Sequence, residues 1–200
     1  MNRPEPTDAT RSLAGRADEH LHVIRAAMER AGSFTAVPGW GGVAMGVVAL
    51  AAAWFANAAA DPGAWLRIWL GAAVLGFAIG AATTVGKARR SGVPLLGGVS
   101  RRFFLALAAP IAVGAALTAA LAAREMTALL PGVWLLLYGS AVLTAGAQSI
   151  PLIPTLGFSF LAIGAIALAS PAAWGDAFLA LGFGGLQIGF GLVIARRHGG

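Results

Sequence analysis

Cysteine is absent from the 200 residues, which removes disulfides, thiolate metal sites and thiol catalysis together. Histidine is scarce, and His20, His22 and His198 all lie outside the apolar runs, so a haem held by histidines from within a helical bundle has no ligands. Charge is short as well: Asp, Glu, Lys and Arg make up 11% of the chain, where a soluble domain has about 25%. None of these residues occupies the middle of an apolar run. That absence counts against a proton- or sodium-coupled pump, which needs an ionisable relay or ion ligand near the membrane midplane. It leaves open a facilitator, or a site made of backbone carbonyls. The first 39 residues carry ten charges and no apolar h-region, so a cleaved signal peptide is not expected and the first hydrophobic helix should stay as an anchor.

What is present instead is uninterrupted hydrophobicity, 58% of the residues with a mean hydropathy of +0.78. Roughly 20 apolar residues span the hydrocarbon layer as a helix, and six runs qualify, at 40–60, 64–86, 103–123, 128–148, 151–170 and 174–195. An outer-membrane barrel would alternate polar and apolar residues over strands of about ten; these runs of Ala, Leu, Gly and Val do not. The expected fold is an all-α integral membrane protein, a six-helix bundle over 40–195. Residues 1–39 precede it as a cytoplasmic tail with an amphipathic helix, and a short tail follows at 196–200.

The segment Lys87 to Arg102, KARRSGVPLLGGVSRR, sets the orientation. It holds five of the fourteen Lys and Arg: Lys87, Arg89, Arg90, Arg101 and Arg102. Five arginines in the N-terminal tail and Arg196 with Arg197 fall on the same side if the spans number six, making twelve, against only Arg67 and Arg124 on the other. The positive-inside rule then places both termini in the cytoplasm. The net charge of +6 follows from this topology and calls for no nucleic acid. The five cations of the Lys87 to Arg102 loop are expected to contact anionic lipid.

Between residues 16 and 31, Ala17, Leu21, Ile24, Met28 and Ala31 recur at spacings of three and four, the stripe of an amphipathic helix. It could lie on the membrane surface, dock a cytosolic protein or pack on its own bundle. The pair His20 and His22, with Asp18 and Glu19, does not make a metal site, because i and i+2 positions diverge on a helix. The stretch that follows, MERAGSFTAVPGWGG from Met28 to Gly42, resembles a group of bacterial integral membrane proteins of unknown function. The resemblance implies the bacterial inner membrane; it carries no activity and no site residues.

Three helices expected to start from the outer side open with Pro-x-x-Trp: Pro62 to Trp65, Pro131 to Trp134, and Pro171 to Trp174. Proline suits the first helical turn, and tryptophan the headgroup boundary. Helix association in lipid relies on small residues, so the GxxxG pairs Gly42 and Gly46, Gly76 and Gly80, and Gly185 and Gly189 are the expected packing contacts. The last span, with glycines on two faces, should be central. Pro110 should kink the third span and free a carbonyl near residue 106. Arg67 and Asp176, each about a turn inside an outer end, are the expected structural ion pair.

Polar residues inside the spans are few. Tyr138, Ser140, Thr144, Gln148, Ser159 and Gln187, with Thr155 beside them, are the candidates for a polar pocket open to the cytoplasm; the alternative is interhelical hydrogen bonding. Asp61, Glu125 and Asp176 have no histidine or cysteine on their side to act with them, so catalysis is not expected, nor is any cofactor or metal. Two functions follow. The first is an interaction or sensory module in which the bundle anchors helix 16–31 for a cytosolic protein. The second is a small-solute permease around Tyr138 and Gln187, as a homodimer, because six short helices leave little room for a pore.

Overall fold

The structure is a computed structural model that describes residues 35–92, 98–147 and 149–198. Residues 34–200 form one compact unit. The amphipathic helix expected at 16–31 and the candidate Gln148 lie outside the described residues.

The unit is helical. Helix α1 covers Gly39–Asn57, α2 Pro62–Arg90, α3 Gly98–Ala122, α4 Leu130–Gly146 and α5 Leu152–Leu168. The last span is composite: a 3-10 turn at Ala172–Trp174, α6 at Gly175–Leu179, a π-helical segment at Ala180–Leu186, and α7 at Gln187–His198. Five stretches are long and apolar enough to cross a membrane: Gly39–Asn57, Pro62–Arg90, Ser100–Ala122, Thr127–Gly146 and Ala172–Arg197. Helix α5, at 17 residues, is apolar but reaches only the lower limit of about 17 residues for a span.

Local chemistry sets the ends. Asp61 caps α2, its side chain accepting from Ala64 N at 2.8 Å, and Pro62 follows where a missing N–H costs nothing. At the other end Lys87, Arg89 and Arg90 lie in the last turn, where cations suit the helix dipole. Helix α3 runs on through Pro110. It closes with Met126 N donating to Leu121 O at 2.9 Å and Glu125 N to Ala122 O at 3.1 Å, a Schellman arrangement. The left-handed position in it, φ 58°, is filled by Glu125 in place of the usual glycine.

Two antiparallel helix pairs form the centre. In α4 and α5, Gly132 lies against Leu168 and Gly146 against Pro154. Between them, a Cβ on Gly139 would stand 2.8 Å from Leu161 N, one on Gly157 2.6 Å from Leu143 N, and one on Gly164 2.8 Å from Leu136 N. Backbone meets backbone along the whole pair. The glycines recur every seven residues, at 132, 139 and 146 and at 157 and 164, the period that keeps one seam of a helix facing its partner. In α1 and the last span the same spacing separates Gly39 from Gly46 and Gly184 from Gly191. There a Cβ on Gly46 would stand 2.9 Å from Gly184 O, and one on Gly191 2.8 Å from Val43 N. Leu135, Phe160 and Leu179 fill the space where the pairs meet and are fully buried. Helices α2 and α3 flank the pairs and remain largely exposed.

This geometry corrects part of the expected glycine packing. Gly42 and Gly46 do lie at a close crossing. A Cβ on Gly76 would come no nearer than 4.0 Å to Met45 Cγ, and one on Gly80 would meet only the flexible Met45 sulfur at 3.1 Å. Gly185 would meet only atoms of its own span, and Gly189 nothing within 4 Å. The cause is the π segment. An i→i+5 turn advances less per residue than an α turn, so residues after it slip in phase, and the buried glycines become Gly182, Gly184 and Gly191.

Candidate functional site

The sequence points first to the middle of the bundle. Gln187 opens α7 directly after the π segment and is 6% exposed. Its Nε2 donates to Tyr138 Oη at 2.5 Å. The Tyr138 ring is held edge-on by Phe160, with centroids 4.8 Å apart, and by Phe183 at 5.1 Å, and these two phenylalanines touch one another at 5.2 Å. Both polar groups are therefore committed to each other inside an aromatic cluster.

The hydroxyls expected beside them go elsewhere. Thr144 Oγ1 donates to Ser140 O at 2.8 Å, Ser159 Oγ to Thr155 O at 2.9 Å, and Thr155 Oγ1 to Pro151 O at 3.4 Å. Each satisfies its own helix, the back-bonding that serine and threonine adopt inside helices. The hydroxyls of Thr144, Thr155 and Ser159 are thus spent on their own helices and not on Gln187. The open crevice between α5 and the last span, about 490 Å³, is apolar. Leu152, Leu186 and Phe190 wall it, Gly185 and Gly189 form part of its floor, and among the described residues Thr155 is the one member of the expected polar set that reaches it.

At the Lys87 end of the bundle, the cation cluster divides. Arg89, Arg90, Arg101 and Arg102 are exposed, as lipid contact requires. Lys87 is not: it is 9% exposed and its Nζ donates to Val37 O at 3.0 Å. The lipid role expected of Lys87 is corrected to a structural one, because its stem runs inward and its ammonium ends on the backbone just before α1. Around it, Ala36, Ala88, Phe103 and Ala145 form a small buried core, in which the segment before α1 meets α2, α3 and α4. Ala36 is wholly buried.

The opposite end of α2 holds the group that sequence reasoning missed. Trp65 and Trp69, four residues apart and so on one helix face, both donate to Asp176 Oδ1, at 2.7 and 2.9 Å. Trp65 also stacks on Trp134, centroids 5.6 Å apart and planes 6° from parallel. Trp134 Nε1 donates to Thr118 Oγ1 at 2.8 Å. Two of the three Pro-x-x-Trp motifs thus converge, and the third opens the span that brings Asp176. The ion pair expected between Arg67 and Asp176 does not form; two indoles take the place of the guanidinium. The signal was present in the i, i+4 spacing of Trp65 and Trp69, but which helix supplied their acceptor depended on packing.

Comparison with protein-family models, with curated proteins and with solved structures finds no match.

Proposed function

We propose that the chain is a six-span protein of the bacterial inner membrane with both termini in the cytoplasm. Its bundle anchors helix 16–31 as an interaction or sensory module for a cytosolic protein. The observation that carries this reading is the seating of residues 36 and 37. Ala36 is fully buried and Lys87 Nζ holds Val37 O, so the point where the N-terminal region enters the bundle is fixed by three helices. A merely tethered tail needs no such seat. The sixth span is supported by α5 lying against α4 from Leu168 at Gly132 to Pro154 at Gly146. The count of twelve cations against two supports the orientation, and the resemblance of Met28 to Gly42 to bacterial membrane proteins supports the compartment.

The permease reading finds less support. Gln187 Nε2 donates to Tyr138 Oη, and the hydroxyls of Thr144 and Ser159 bond to their own backbones. No catalysis or cofactor is assigned. The test places a photo-reactive residue at Met28 in living cells. One cytosolic protein should be crosslinked there, and the crosslink should vanish with Leu21→Asp and Ile24→Asp while the bundle melts as before. A lowered melting temperature in that double variant would mean that the stripe packs on the bundle, and the recruitment reading would fail.

A further inference from the structure

The anchoring role leaves Asp176 unused. Its Oδ1 takes both indole N–H groups, and its Oδ2 takes no donor. Among the described residues no buried side-chain nitrogen or oxygen lacks a partner, so this unpartnered Oδ2 is accessible. No Lys or Arg pairs with it. Arg67 is exposed, and its Nη1 turns along its own helix, 3.3 Å from where a Cβ on Gly63 would stand. The result is a half-buried carboxylate whose orientation two indole donors fix and which, among the described residues, forms no ion pair with a Lys or Arg.

The chemistry of a matching ligand follows. A hard metal ion takes about six or more oxygen ligands, and among the described residues no group of three or more metal-binding side chains exists. One free oxygen with aromatic neighbours does not make such a cage. An ammonium group needs only a charged acceptor, to which it donates a charge-assisted hydrogen bond. We propose that Asp176 Oδ2, presented by Trp65 and Trp69, binds a primary ammonium group, carried either by a free amine or by the headgroup of an aminophospholipid. The site is at the end of the bundle opposite Lys87, and it stands or falls separately from any partner of helix 16–31.

The experiment uses the full chain in phosphatidylglycerol nanodiscs, titrated with ethylammonium chloride against sodium chloride at matched ionic strength, with tryptophan emission and thermal melting as readouts. Ethylammonium should produce a saturable emission change and a higher melting temperature, and sodium neither. Asp176→Asn keeps a carbonyl oxygen for both indoles but puts an NH2 where the open acceptor was. It should bind at least about tenfold more weakly, as losing a hydrogen bond to a charged group implies. Trp69→Phe keeps the carboxylate and should retain a saturable response. Nanodiscs containing phosphatidylethanolamine separate the two sources. If the headgroup is the ligand, the wild type starts with shifted emission there and ethylammonium adds nothing. If a free amine is the ligand, emission starts unshifted and still responds. The proposal is overturned if sodium reproduces the response, if Asp176→Asn responds like the wild type, or if the wild type shows no saturable response in one disc and no shifted emission in the other.

Discussion

Gln187 shows how a polar residue in a membrane helix is read differently from sequence and from structure. A primary amide in hydrocarbon must find partners, so from the sequence it marks either a solute path or a helix contact. The hydrogen bond to Tyr138 Oη and the ring contacts with Phe160 and Phe183 favour the contact. Gln187→Leu is therefore expected to cost roughly 0.6 kcal/mol, the average for such bonds in membranes, and to leave the fold intact in a detergent melting assay. Purified protein in liposomes should pass no solute from a panel of small neutral and charged compounds, with or without the substitution. Specific flux that Gln187→Leu abolishes would restore the permease. Lys87 is the opposite case. Its position in a run of cations suggested lipid, whereas its ammonium closes on Val37 O. Lys87→Met keeps the stem and leaves that carbonyl without this donor, which should cost about 1–3 kcal/mol and raise the rate of proteolysis around residue 37. Substituting exposed Arg89 in the same way should leave both unchanged.

At the scale of helices, glycine matters by where its missing side chain would have gone. Gly139→Ala would set a Cβ 2.8 Å from Leu161 N and 2.9 Å from Gly157 O, neither of which can yield without moving a helix. Overpacking of this kind costs typically 1–3 kcal/mol. Gly189→Ala meets nothing within 4 Å and should be neutral or slightly stabilising, since alanine is the better helix former. Equal melting temperatures for the two variants would contradict the α4 and α5 seam. Glu125, held at φ 58°, gives a third test: Glu125→Gly should relieve a strain of about 1 kcal/mol and raise the melting temperature. Much of this level was legible in the sequence. The apolar runs located the helices to within a few residues, and Pro62 and Pro131 marked two starts. The seven-residue spacing of Gly132, Gly139 and Gly146 was legible too, but GxxxG was the pattern sought. What could not be read was the π segment at Ala180–Leu186. It changes helical phase after residue 180, so Gly182 and Gly184 are buried while the expected packing pair Gly185 and Gly189 is exposed.

For the molecule as a whole, the architecture follows from a balance that the sequence states openly: long apolar runs separated by short loops, with cations gathered in the N-terminal segment, in the Lys87 to Arg102 loop and at Arg196 and Arg197. Its two ends are built differently. The Lys87 end is a small alanine-rich core that fixes the start of α1, and the Trp65 end is a network of indoles around one carboxylate. Neither assembly is visible as a motif, because each draws residues from segments far apart in the chain, as Val37 and Lys87 or Trp65 and Asp176 are. The proposed topology has this bundle cross the membrane six times with the Lys87 end inside. Because the chain has no cysteine, single replacements at exposed positions between helices test it directly with a membrane-impermeant thiol reagent on intact cells. Ala60→Cys and Ala169→Cys should be labelled, while Ser91→Cys and Ala147→Cys should react only after the cells are permeabilised. Labelling of Ser91→Cys from outside would reverse the orientation, and protection of Ala169→Cys alongside Ala147→Cys would show that α5 does not cross.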